Sequence, residues 1–230
     1  MKMMMLLHTS LHWQQMTDRV DLWVNYKAVL DEVFPEFKFE SRWCEWKGWK
    51  DLTLTADIYT APYFIKSRRV DIFDDKSDIY NNVIYPKTGS NLPCFGMDLM
   101  GFFEKKVIIV FDFQHPVEKF VFSVDGLPVA EKDYRFFEMG NHFSKNIFVR
   151  YCTFDEVDQY LPEFRQYLEV YRKMIDEAQP TGEDLSFYKD FDIYMKKLDP
   201  ILGYLSNKFG KDNANRMMDE FFFPYADENR

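Results

Sequence analysis

Between Leu52 and Phe113 the chain is a series of short segments in which apolar and β-branched residues alternate, each parted from the next by a few turn residues. This pattern narrows the fold more than any other feature, because strict alternation is the signature of a half-buried strand. Leu52 to Thr60, Phe64 to Phe73, Ile79 to Tyr85, Cys94 to Phe102 and Val107 to Phe113 read as strands. Asp74-Asp75, Pro86 to Gly89 and Gly101 supply turn chemistry between them. Phe37 to Trp49 reads as a strand with turns, and Lys119 to Val124 as a further strand. The connections are too short to hold crossover helices, so an antiparallel meander is expected rather than βαβ units.

The second half changes period. Val157, Tyr160, Leu161, Phe164, Leu168, Tyr171 and Ile175 recur at helical spacing, with Thr153 or Asp155 as cap and Pro162 in the first turns. Phe187, Phe191, Tyr194, Met195 and Leu198 mark a second helix. Pro200 stops it and opens a third, Ile201 to Phe209, which Gly210 closes. Ahead of the strands, Thr17 to Phe34 is helical in pattern, capped by Thr17 or Asp18 and ended by Pro35. The expectation is an α+β chain: a central antiparallel sheet with helices packed on its faces. A length of 230 residues fits one domain, taken as 16–230 behind a short flexible tail over 1–15.

Composition excludes several function classes. With 29 basic and 38 acidic residues the net charge is −9, which disfavours nucleic-acid partners. The apolar stretch near Met1 to His8 is too short for a signal peptide, and no run is long enough for a membrane span. Cys44, Cys94 and Cys152 form no C-x-x-C pair, so neither a disulfide framework nor a zinc site is implied and a cytoplasmic location is expected. His8, His12, His115 and His142 show no metal-binding spacing, and the dinucleotide, P-loop and nucleophile-elbow motifs are absent. An enzyme built this way would work with acids set directly against its substrate.

The most informative segment is Cys94 to Met100. As a strand it turns Phe95, Met97 and Leu99 to one face and Cys94, Gly96, Asp98 and Met100 to the other. Asp98 is expensive to bury as an anion, and Gly96 leaves room above the sheet for a flat ligand. Burial would keep Asp98 protonated near neutrality, as a proton donor requires. The plainer alternative is a carboxylate paired with a nearby Lys or Arg, or one at the sheet edge. Asp199 stands before Pro200, where it can cap a helix, face the same cavity, or do both, since a cap uses one oxygen. Of Asn81 and Asn82, one must face inward, where its amide could bond a ligand. Arg150 closes the apolar run from Phe143 and suits either a carboxylate clamp or a surface ion pair.

Several stretches together, LPCFGMD over 92–98, RFFEMGNHFSKNIFVR over 135–150, and Leu198-Asp199-Pro200 with Gly203-Tyr204-Leu205 and Phe209-Gly210, resemble the ferredoxin-dependent bilin reductases. Within that family the likeness is to the phage-type phycoerythrobilin synthases, and it runs from about residue 20 to the C-terminus. The resemblance implies a three-layer α/β/α sandwich holding biliverdin IXα between the sheet and the C-terminal helices. It implies four one-electron steps from reduced ferredoxin as external donor, with no bound metal or organic cofactor, and 3Z-phycoerythrobilin formed through 15,16-dihydrobiliverdin. Asp98 and Asp199 match the family's two acids, and a single two-electron step or a non-catalytic bilin carrier are the alternatives. Asn81, Gly96 and Met97 are expected to line the bilin, and Arg150 to lie near a propionate. A monomer is expected. Two departures stand out: Leu202 replaces an arginine that relatives carry, and Arg69 stands where some carry glutamate. Lys105-Lys106, Lys66 with Arg68-Arg69, and Lys196-Lys197 with Lys208 and Lys211 are candidate basic patches for an acidic ferredoxin.

Overall fold

The computed structural model describes residues 21–48, 52–103, 106–118, 122–132, 134 and 141–226. The N-terminal tail, the caps at Thr17 or Asp18, and Lys105 lie outside these residues. Among the described residues, seven strands form one sheet in sequence order: β1 (Lys38–Lys47), β2 (Thr53–Ala61), β3 (Phe64–Phe73), β4 (Ser77–Pro86), β5 (Cys94–Phe102), β6 (Lys106–Gln114) and β7 (Phe148–Cys152). Every neighbouring pair is antiparallel. The expected meander is what forms, because its short links leave each strand only the next one to pair with. β7 joins the edge after a longer excursion. The strand expected over 119–124 is not seen: 122–124 carry no strand, and 119–121 lie outside the described residues.

Helices cover both faces, giving the three-layer α/β/α sandwich. On one face lie α1 (Val24–Val33) and α2 (Leu161–Ala178), which a 3-10 turn over Phe154–Tyr160 precedes. Glu156 reaches back to accept the Thr153 backbone N–H at 2.9 Å, and Pro162 sits in the first turn of α2. Phe95, Met97 and Leu99 of β5 and Val107, Ile109, Phe111 and Phe113 of β6 pack against these helices. Phe111 stacks on Phe148 at 4.3 Å and meets Tyr167 edge-on at 4.8 Å.

On the other face lie α3 (Lys189–Leu198), α4 (Ile201–Phe209), α5 (Lys211–Met217) and a π-turn over Met218–Phe222. Patterning does not announce the last two, because their apolar positions run too few turns to establish a period. Leu54, Ala56, Val70 and Ile72 pack against Leu205, Phe209, Met217 and Phe221 here, and Leu202 joins the same apolar cluster. The chain crosses between faces after α2, where Pro180 cannot continue a helix. Thr88 and Gly182 then exchange two backbone hydrogen bonds of 2.6 and 2.7 Å, fixing the crossing against the end of β4. A Cβ at Gly182 would come within 2.7 Å of the Thr88 hydroxyl oxygen, so this approach requires glycine.

Candidate active site

β4 and β5 pair in a register that sets Asn81 directly opposite Asp98. Both side chains point toward α3 and α4, as alternation along β5 requires. The Asn81 amide N–H donates to Oδ1 of Asp98. Its carbonyl accepts from Nη2 of Arg68 at 2.9 Å. Arg68 stands on β3 two residues from Val70, the partner of Asn81, and a diagonal neighbour at that distance is within reach of a long side chain. The two contacts fix the amide's orientation: its oxygen takes the arginine and its nitrogen serves the acid. Arg68 also donates through Nη1 to the Phe222 carbonyl, and its guanidinium lies over the Phe222 and Phe223 rings at 5.0 and 5.6 Å.

Asp199 enters from the opposite layer, at the junction of α3 and α4. It is the C-cap residue that follows α3, and its Oδ1 accepts the Ile201 backbone N–H at 2.9 Å. The cap and the inward placement coexist, with the second oxygen left over. Both acids line one slot with Arg68, Asn81 and Gly96, walled by Val83, Tyr85, Phe191, Met195 and Phe223.

The electrostatics favour protonated acids. Burial pushes the Asp98 carboxyl up from its ordinary value, with the Asn81 hydrogen bond and the Arg68 charge pulling it part of the way back. Burial, and then the neighbouring Asp98 charge, push Asp199 up to about 7, against the Ile201 N–H and Arg68. Both shifts run toward the protonated form, the direction a proton donor requires.

The slot differs from expectation at several residues. Gly96 lines it, yet the room above that glycine is filled by the Gln114 amide: a Cβ at position 96 would lie 2.5 Å from Nε2 or Oε1 of Gln114. Met97 borders the slot, but its side chain belongs to the aromatic core on the other face, as alternation dictates. Arg150 does not reach the slot. It sits in the middle of β7 rather than at a strand end, pairs with Ile109, and shares the α2 face with Phe148 and Cys152. Its guanidinium lies 4.4 Å from the Phe148 ring centre and 4.0 Å from Glu131. Asn82 turns away from the slot and accepts the Ser67 hydroxyl at 2.9 Å.

The group Lys66, Arg68 and Arg69 is not a docking patch, because all three are buried. Arg69 faces the α1 side and pairs with Asp31 at 2.8 Å. Lys66 and Arg68 fall in step with Val70 and Ile72 on the slot face; that period-two alternation was the available signal. Lys66 lies over the Tyr85 and Tyr225 rings at 4.9 and 4.3 Å, close to a further carboxylate, the buried Asp192. Asp192 accepts the Tyr85 hydroxyl at 3.1 Å and the Tyr225 N–H at 3.0 Å. Burial lowers Lys66 and raises Asp192, each opposed by the other's charge.

Residues 33–224 match the ferredoxin-dependent bilin reductase family, so the chain belongs to that family. It is an oxidoreductase that acts on a bilin and draws its electrons from ferredoxin. Among curated relatives, the 15,16-dihydrobiliverdin:ferredoxin oxidoreductase of Gloeobacter violaceus is 27% identical over 200 residues, covering 78% of this chain and 82% of its own. The enzyme of the same name from Nostoc punctiforme is 28% identical over 233 residues, covering 87% of this chain and 96% of its own. A crystal structure of tomato phytochromobilin synthase in complex with biliverdin shares the fold at a TM-score of 0.63 and 18% identity, covering 88% of this chain and 83% of that one. Among the described residues, no helix is long and apolar enough to cross a membrane.

Proposed function

We propose that the protein reduces biliverdin IXα by four electrons to 3Z-phycoerythrobilin, with 15,16-dihydrobiliverdin as intermediate. The observation that supports this most is the presence of two carboxyls, Asp98 and Asp199, both raised toward neutrality and both lining one slot. Each double-bond reduction consumes two electrons, delivered singly by ferredoxin, and two protons. One electron makes a conjugated tetrapyrrole a much stronger base, and a neutral carboxyl within reach then gives up its proton before the next electron arrives; the second proton comes from solvent, which also reprotonates the carboxylate. The C15–C16 bond and the A-ring diene lie at different ends of the pigment, so one acid serves them both poorly. Asp98 is assigned to the first reduction and Asp199 to the A-ring step. Asn81 and Arg68 hold Asp98 in place and, by favouring its anion, make its release of the proton easier.

A second reading stops after one two-electron step, and the names of the curated relatives favour it. Anaerobic turnover of biliverdin with ferredoxin and an electron source, followed by absorption and chromatography, separates the two. Conversion to phycoerythrobilin supports the four-electron reading, while a halt at 15,16-dihydrobiliverdin supports the shorter one. Docking of ferredoxin is assigned to the surface around Lys196, Lys197, Lys208 and Lys211, near the α3 and α4 layer. Turnover should fall as salt rises, and a rate indifferent to salt would argue against an electrostatic dock.

A further inference from the structure

Gln114 is the last residue of β6, opposite Cys94, and points into the slot rather than into either apolar core. It is only 8% exposed, and its Oε1 is buried with no hydrogen-bond partner among the described residues. A buried amide oxygen left this way lowers stability, so its retention needs a reason. Lack of a partner is not by itself a mark of a site: the Tyr80 hydroxyl and the Asn82 Nδ2, on the opposite face, are also without one. What separates Gln114 is its position. Its amide lies directly over Gly96, the one strand residue in the slot without a side chain, and any Cβ there would collide with it.

Among the slot's other polar groups, Asn81 is engaged at both ends, the oxygens of Asp98 and Asp199 that remain belong to acids, and Arg68, whose Nε lacks a partner among the described residues, can only donate. The Gln114 oxygen is therefore an uncommitted acceptor on a group with no acidic proton. A linear tetrapyrrole presents the complementary groups, its pyrrole and lactam N–H donors.

We propose that Gln114 is a positioning residue for the bilin. Its Oε1 accepts a ring N–H, and Gly96 is glycine so that the amide and the pigment can share the space above it. The inference rests on the bilin reading given above. It gives the slot a neutral contact that fixes the pigment's register relative to Asp98 while itself exchanging no proton.

The test compares the wild type with Gln114→Leu, Gln114→Glu and Gly96→Ala. Biliverdin is titrated against each and followed by visible absorption, urea unfolding is measured, and turnover with reduced ferredoxin is split into kcat and KM. Gln114→Leu should weaken biliverdin binding by about five- to tenfold, the worth of one hydrogen bond. It should shift the absorption band of the bound pigment, raise KM more than it lowers kcat, and leave stability equal or higher. Gln114→Glu keeps an acceptor oxygen and should recover part of the affinity. Gly96→Ala, which drives the amide from its seat, should lower affinity even if Gln114→Leu folds poorly. Wild-type affinity and band position in Gln114→Leu would overturn the inference while leaving the bilin reading intact. Failure of the wild type itself to bind biliverdin would overturn both.

Discussion

The two faces of the sheet solve different problems. On the α1 and α2 face, rings close on rings: Phe95, Phe111, Phe113, Phe148, Phe164, Tyr167 and Tyr171 are all buried in one cluster. Three tyrosine hydroxyls there find backbone carbonyls, Tyr26 on Val157, Tyr167 on Asn146 and Tyr171 on Pro93. On the α3 to α5 face the apolar clusters are smaller and part around Asp98, Asp199, Arg68, Asn81 and Gln114. One face holds the fold together. The other keeps acids in low dielectric, at a cost in stability, and the proposed reaction draws its protons from them.

Substitutions on each side should therefore fail in different ways. The largest effect is expected at Asp199→Asn, which should slow the second reduction by about 100- to 10,000-fold, the usual worth of a general acid, and leave 15,16-dihydrobiliverdin as the product. Formation of phycoerythrobilin at the wild-type rate would break the division of labour between the acids. On the aromatic face, Phe111→Ala should cost about 3–5 kcal/mol in urea unfolding while leaving the bilin affinity of the folded fraction unchanged. Lys66→Met should lower stability by removing the charge that opposes the burial of Asp192, and replacing Asp192 with Leu in the same chain should restore most of it. Recovery would separate a structural charge coupling from a proton source for the slot.

The smallest effect is on pH dependence. Asp199 is raised from 3.8 to about 7, so between these values the folded protein holds a proton that the unfolded chain has released. Stability should fall as pH rises through that window, and Asp199→Asn should flatten the fall. Turnover limited by this acid should decline above about pH 7 for the same reason. A stability curve that rises between pH 4 and 7 and is identical in Asp199→Asn would contradict the assignment.

Much of this architecture is legible in the residues. β3 and β5 occupy the spans their alternation indicates, Phe64–Phe73 and Cys94–Phe102, because a sheet with one face on each core enforces period two. Asp98 stands out as a carboxylate inside an apolar strand, and Asp199 as the acid of an Asp-Pro junction. Pairing register is what strands in isolation do not reveal. Arg68 sits in a basic triplet that reads as surface until β3 is laid beside β4, when it reaches Asn81. Gln114 gains meaning only from the glycine across the strand boundary. Arg150 fails for the same reason, since one residue of register decides which face a side chain takes, and its pairing with Ile109 turns it to the aromatic core.

Proton delivery from Asp98 is tested most directly by product formation in Asp98→Asn, given biliverdin and reduced ferredoxin without oxygen. The amide keeps the shape and the contact with Asn81 but has no acidic proton to give. Binding with near-wild-type affinity and at least about a 100-fold slower appearance of 15,16-dihydrobiliverdin is the predicted result. Dihydrobiliverdin formed at the wild-type rate would mean that the proton comes from elsewhere in the slot.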